Sequence, residues 1–172
     1  MKPSQLEAQL ERLHPESFGW ALSCCGNDET EAEDVLQTTY LKIVTGKASF
    51  GGRSSFKTWV FGVIRRTAQE VSRRRQAERR RTIHLVPDEL GAPSHDDPDR
   101  ALDRAEAARS LTEAMKRLSD RQREILHLVF YQDMTISEAA GVMGVSIGSA
   151  RTHYERGKSR LREILGEDEN VA

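Results

Sequence analysis

Near the end of the chain, Ile147, Ala150, Tyr154, Gly157, Leu161 and Ile164 follow one another at spacings of 3, 4, 3, 4 and 3. Only an α-helix, at about 3.6 residues per turn, lays such a series along one face, so a continuous buried stripe is expected there. The same period recurs in Phe56, Val60, Ile64, Ala68 and Val71, and again in Leu36, Tyr40, Ile43 and Val44. No stretch alternates apolar and polar residues at the two-residue period of a strand. The expected fold class is therefore all-α.

Local signals place several helix ends. Thr30 is the expected cap of a helix opening with Glu31, Ala32 and Glu33, whose acids suit the positive end of the helix dipole. Gly46 offers its stop. Ser119 and Gln122 have the spacing of a capping box. Gly144 ends a short helix through Ile136, Ala139, Ala140 and Met143, and Ser146 can cap the long helix that follows.

Charge divides the chain. Its 26 Lys and Arg nearly cancel its 27 Asp and Glu, but the two signs are segregated. Between Arg65 and Arg81 eight arginines face two glutamates. From Pro87 to Glu106 seven acids face two arginines, and Pro87, Gly91, Pro93 and Pro98 fall among them. Such a mix buries little apolar surface and predicts a flexible acidic linker. The expected organisation is one small helical domain at 1–82, a linker at 83–105, a second helical domain at 106–166 and an acidic tail at 167–172.

Several function classes are excluded at this stage. No apolar run approaches the roughly 20 residues of a membrane helix, so no membrane insertion is expected. The opening MKPSQLEAQLERLHPES lacks the apolar core of a secretory signal. Cys24 and Cys25 are adjacent and poorly placed to staple a fold, which predicts a cytoplasmic protein with free thiols. With His14 they lack the spacing of common zinc sites, so neither a metal nor another cofactor is expected. Gly144-Val-Ser-Ile-Gly148 matches a hydrolase nucleophile elbow, but that motif needs a preceding strand, and here a helix precedes it. No catalytic residues are assigned.

Two clusters point to nucleic acid instead. A short helix, a turn containing glycine and a helix opening with small residues are the pattern of a helix-turn-helix. Off its apolar stripe the last helix carries Ser149, Arg151, Thr152, Glu155 and Arg156, side chains able to meet phosphates and base edges. The second cluster is aromatic: Phe50, Phe56, Trp59 and Phe61 lie directly before the arginine run. Rings beside a basic track suit single-stranded nucleic acid, since bases stack on them while cations hold the backbone. Phe56 and Phe61 are also expected to fill core, which leaves Phe50 and Trp59 as the functional pair.

Taken together these stretches resemble the extracytoplasmic-function (ECF) family of RNA polymerase sigma factors. Ala32-Glu-Asp-Val-Leu-Gln-Thr-Thr-Tyr-Leu-Lys-Ile43 is similar to the family's "AEDLVQETFLR" helix. The resemblance implies that Asp34, Gln37, Tyr40 and Leu41 dock on the polymerase β′ subunit. Phe50-Gly-Gly-Arg-Ser-Ser-Phe-Lys-Thr-Trp59 resembles "FRGESSFRTWL", the loop that captures a flipped base and melts the −10 element. It implies a −10 site of Phe50, Arg53, Ser54, Trp59, Arg65, Arg66 and Arg73. Leu118 to Ile125 and Gly144 to Arg151 are similar to "LPERQREVL … GISVGTVKSR", which implies that Ser149, Arg151, Thr152, Glu155 and Arg156 face the −35 element. Gly51 stands where the family usually has arginine, Arg66 where it has asparagine, and Glu155 where it lacks an acid. The implied partners are core polymerase (β′ and β subunits), promoter DNA and an anti-sigma factor. The alternative is a helix-turn-helix regulator without sigma activity, which has no reason to carry the docking helix and the aromatic loop together.

Overall fold

A computed structural model of the chain describes residues 3–81 and 101–169. Among them seven helices and no strand occur: α1 (Pro3–Cys24), α2 (Glu29–Val44), α3 (Phe56–Arg81), α4 (Ala101–Lys116), α5 (Asp120–Phe130), α6 (Ile136–Met143) and α7 (Ile147–Glu169). Residues 83–100 of the expected linker and 170–172 of the expected tail lie outside the described residues. Residues 101–105, read as linker, are instead the first turns of α4. No helix among the described residues is long and apolar enough to cross a membrane.

The helix ends follow their chemistry. Asp28, rather than Thr30, caps α2: its Oδ1 accepts from the Glu31 N–H at 2.9 Å, so the helix starts two residues earlier than expected. At α3 the Ser55 Oγ accepts from the Thr58 N–H at 3.1 Å. Ser119 and Gln122 form the capping box of α5, and Thr135 and Glu138 form a second one on α6. Gly144 closes α6 in the left-handed region at φ +65°, where a side chain would be strained.

In the first helical group Leu10, Trp20 and Ala21 of α1 meet Ala32, Val35, Leu36 and Ile43 of α2 and Val60, Phe61 and Ile64 of α3, all buried. In the second, Ile125, Leu126 and Leu128 of α5 pack with Ala139, Ala140 and Met143 of α6 and Ala150 and Ile164 of α7. Gly157 lets α5 and α7 approach, since a Cβ there would stand 3.2 Å from Leu126 Cδ1. The expected stripe on α7 holds from Ala150 to Ile164, but Ile147 is half exposed, because the helix start projects beyond the core.

The two groups pack directly on each other. Helix α3 lies against α6, and α1 against α5. Trp20 is fully buried at this seam: its indole N–H donates to the Phe61 carbonyl at 3.1 Å, and its ring lies 5.5 Å from that of His127. Burial there pushes the His127 imidazole down to about 4, so it is neutral near pH 7. Arg65 of α3 and Glu124 of α5 form a two-pronged ion pair, Nε to Oε1 at 2.8 Å and an outer guanidinium N–H to Oε2 at 3.2 Å. Both side chains are largely shielded from water, at 10% and 17% exposure. Removing one partner of so sheltered a pair typically costs about 3–5 kcal/mol, mostly the cost of the charge left behind.

Candidate nucleic-acid and polymerase interface

Helix α2 divides into two faces. Ala32, Val35, Leu36, Thr39 and Ile43 are buried against α1 and α3. Asp34, Gln37 and Leu41 turn outward, with Leu41 61% and neighbouring Val44 57% exposed. Two large aliphatic side chains beside a carboxylate and an amide form a ready contact face for another protein. Tyr40 differs from its three companions. It is half-buried, its hydroxyl lies 3.1 Å from His14 Nδ1, and burial raises its pKa. Tyr40 therefore braces the helix from the side.

The aromatic cluster assembles as a trio. The Phe50 ring meets Phe56 edge-on at 5.7 Å and Trp59 at 5.3 Å, and Phe56 lies 5.6 Å from Trp59. All three keep some exposure, while Phe61 is fully buried. Gly52, at φ +69°, turns the loop between Phe50 and the start of α3, and leaves Arg53 and Ser54 exposed on its outer side. Behind Trp59 lies a cavity of about 360 Å³, lined among others by Ser49, Trp59, Arg66 and Thr67. Its floor is polar: Lys42 Nζ donates to Thr67 Oγ1 at 3.1 Å and pairs with Glu70 at 2.6 Å. The Trp59 ring in its wall, with hydroxyls and cations around it, suits a planar, hydrogen-bonding group such as an unstacked base.

The arginines of α3 fare unequally. Arg66 is exposed on the cavity side, and Arg73 is exposed with its Nε–H donating to the Gln69 carbonyl. Arg75 pairs with Glu31 at 2.7 Å. Arg65, implied as a DNA contact, is turned away from solvent and held by Glu124, because its position on α3 faces α5. In this arrangement it does not reach DNA.

The helix-turn-helix is regular. Ser146 Oγ accepts from the Ser149 N–H at 3.1 Å and fixes the start of α7. Ser149, Arg151, Thr152, Glu155 and Arg156 are all exposed on the face opposite the core. Thr152 spends its hydroxyl proton on the Gly148 carbonyl at 3.0 Å, which leaves its oxygen free to accept. Glu155 pairs with Lys158 at 3.3 Å, so its charge is partly answered on its own helix. Among the described residues no group of His, Cys, Asp and Glu could hold a metal. Cys24 and Cys25 are free, and burial, with acids nearby, pushes Cys25 up to about 12 and Cys24 well above its usual value. Neither is a ready nucleophile.

Known proteins match both halves. Sigma-70 region 2 matches residues 10–78, and Sigma-70, region 4 matches residues 114–163. The ECF RNA polymerase sigma factor SigX of Bacillus subtilis is 30% identical over 157 residues, 82% of this chain and 75% of SigX. The sigma factor YlaC of the same organism is 27% identical over 134 residues, 78% of this chain and 77% of YlaC. Among solved structures, the sigma factor RpoE of Bartonella quintana, solved in complex with the anti-sigma factor NepR, superposes with a TM-score of 0.73 at 23% identity. That match covers 94% of this chain and 97% of RpoE.

Proposed function

This chain belongs to the ECF family of RNA polymerase sigma factors and directs promoter-specific transcription, and from that premise we propose how its surfaces divide the work. Residues 1–82 act as the region 2 module and 106–166 as the region 4 module, with 83–105 between them and an acidic tail at 167–172. The outer face of α2, Asp34, Gln37, Leu41 and the flank of Tyr40, docks on the β′ subunit of core polymerase, while the second module engages the β subunit. The trio around Trp59, with Phe50, Arg53, Ser54, Arg66 and Arg73, takes the opened −10 strand, and one unstacked base enters the cavity behind Trp59. On α7, Ser149, Arg151, Thr152, Glu155 and Arg156 lie in the −35 major groove. The chain brings no reaction of its own, since bond formation belongs to the polymerase, and it works in the cytoplasm. An anti-sigma protein that covers the α2 face would hold it in reserve.

The observation that carries this reading over a free-standing DNA-binding regulator is the α2 face. Two exposed aliphatic residues beside Asp34 have no purpose in a module that serves only DNA. Asp34→Arg tests it, because the side chain is exposed and its replacement spares the core. Co-elution with core polymerase should fall at least about tenfold in affinity while the helical circular dichroism stays unchanged. Unchanged co-elution would remove the docking assignment.

A further inference from the structure

We propose that a cleft among α1, α3, α4 and α5 binds a nucleoside di- or triphosphate, with its phosphates held by arginines of α3 and α5 and its base seated against Tyr131. Such a site needs neither polymerase nor promoter, so it goes beyond the sigma-factor roles given above.

Two cavities, of about 560 and 300 Å³, make up the cleft, and Ser23 and Arg123 line both, so one ligand can reach from the first into the second. The larger is basic: Arg65, Arg73, Arg121 and Arg123 line it against two carboxylates, Asp120 and Glu124. Arg65 spends its charge on Glu124 through two bonds. Arg123 pairs with Asp120 at 2.6 Å, but that carboxylate is 87% exposed, and so open a pair is weak enough to yield to a phosphate. Arg121 reaches Glu124 only at 3.5 Å and donates to the Met143 carbonyl at 3.3 Å. Arg73, shared with the −10 surface proposed above, gives its Nε–H to the Gln69 carbonyl and keeps its outer nitrogens for the cleft. Both walls thus carry guanidinium groups without a firm carboxylate partner. Phosphate oxygens accept from such groups in paired, charge-assisted bonds, and three arginines around one cavity suit more than one phosphate.

The smaller cavity has a different character. Leu22 and Met115 line it with Tyr131, whose ring is 55% exposed and stacks on His127 at 5.1 Å. The Thr112 hydroxyl and the neutral His127 imidazole offer hydrogen bonds beside these apolar groups. A flat ring with polar edges, such as a purine, packs on an aromatic face and accepts cover from a thioether or an aliphatic side chain. An inorganic anion would leave this half of the cleft empty, and an uncharged aromatic would leave the arginines unmet. A nucleoside polyphosphate meets both halves at once.

Titration calorimetry of the full chain with ATP, GTP, adenosine, guanosine and inorganic pyrophosphate tests the assignment. ATP or GTP should bind with a dissociation constant of about 100 μM or tighter, at least about tenfold more tightly than its nucleoside or pyrophosphate. Arg121→Ala with Arg123→Ala should weaken that binding at least about tenfold with helical circular dichroism unchanged, since two charge-assisted contacts are lost. Tyr131→Ala should weaken the nucleotide and leave pyrophosphate as it was. Amide chemical shifts of the wild-type chain locate the ligand without any substitution: Ser23, Ser72, Thr112 and Asp120 should move when the nucleotide is added. No nucleotide binding at millimolar concentration, pyrophosphate as tight as the nucleotide, or a folded double variant that binds unchanged would overturn the proposal. So would shifts confined to the Arg151 and Arg156 face of α7, which would mark polyanion binding to the DNA surface instead.

Discussion

The proposed −10 and −35 surfaces are built on opposite plans. At the start of α3 the reading groups are rings that pack on one another, Phe50 on Phe56 and Trp59, and are therefore only half exposed. On α7 the proposed reading groups are exposed polar side chains on a helix whose other side is locked to α5 through Gly157. An opened strand offers flat apolar faces, and a platform for them must be apolar and preformed. Duplex DNA offers polar edges at fixed spacing, and reading them calls for long polar side chains on a rigid rod. The first surface borrows its order from its own contacts, and the second from the core beneath it.

Substitutions should separate the two plans. Trp59→Ala removes the ring that touches both Phe50 and Phe56 and walls the cavity. With stacking worth about 1–3 kcal/mol per base, strand opening should fall roughly 5- to 150-fold while duplex binding hardly changes. Permanganate reactivity of −10 thymines measures this, and an unaffected footprint would contradict the platform. Arg151→Ala should do the reverse. Preference at one −35 position should relax by about 1–3 kcal/mol with opening intact, as read by selection from randomised −35 sequences. An unchanged selected motif would mean that Arg151 touches only phosphate or nothing.

The smallest expected effect concerns α6, the short helix that precedes that rod. The Glu138 carboxylate accepts from the Thr135 N–H at 2.9 Å and hydroxyl at 2.8 Å, and these bonds hold its pKa below the usual carboxylate range. A depressed folded pKa means stability that is present above the unfolded value near 4.3 and lost as pH falls through the folded one. Glu138→Gln should remove that part of the acid sensitivity and cost about 1 kcal/mol or less at pH 7, a few degrees in thermal melts. An identical acid slope in both proteins would show that the box does not matter.

Much of this was legible in the sequence. The period of 3 and 4 found α3 and α7, the spacing of Ser119 to Gln122 found the cap of α5, and Gly144 with Ser146 marked the start of α7. Helix α1 passed unmarked although Leu6, Leu10, Leu13, Ser17 and Trp20 lie at helical spacing, because Pro15 and Gly19 interrupt the run with residues that usually break helices. The seam was hidden for a different reason: Arg65 and Glu124 are 59 residues apart, and no local period records such a pair. One signal did exist. Trp59 to Ile64 is apolar throughout, and a helix without a polar side must be covered on both sides. Residues 60–65 are indeed buried without a gap, by α1 and α2 on one side and α6 on the other. The same tertiary contact took Arg65 out of the basic track that sequence alone assigned to it.

The most direct test is to reconstitute purified core polymerase with the full chain and run off transcripts from a library of promoters. Discrete transcripts from a shared pair of −35 and −10 sequences are the expected result, lost with Asp34→Arg and shifted in preference with Arg151→Ala. Tight duplex binding by the chain without any transcript would contradict it.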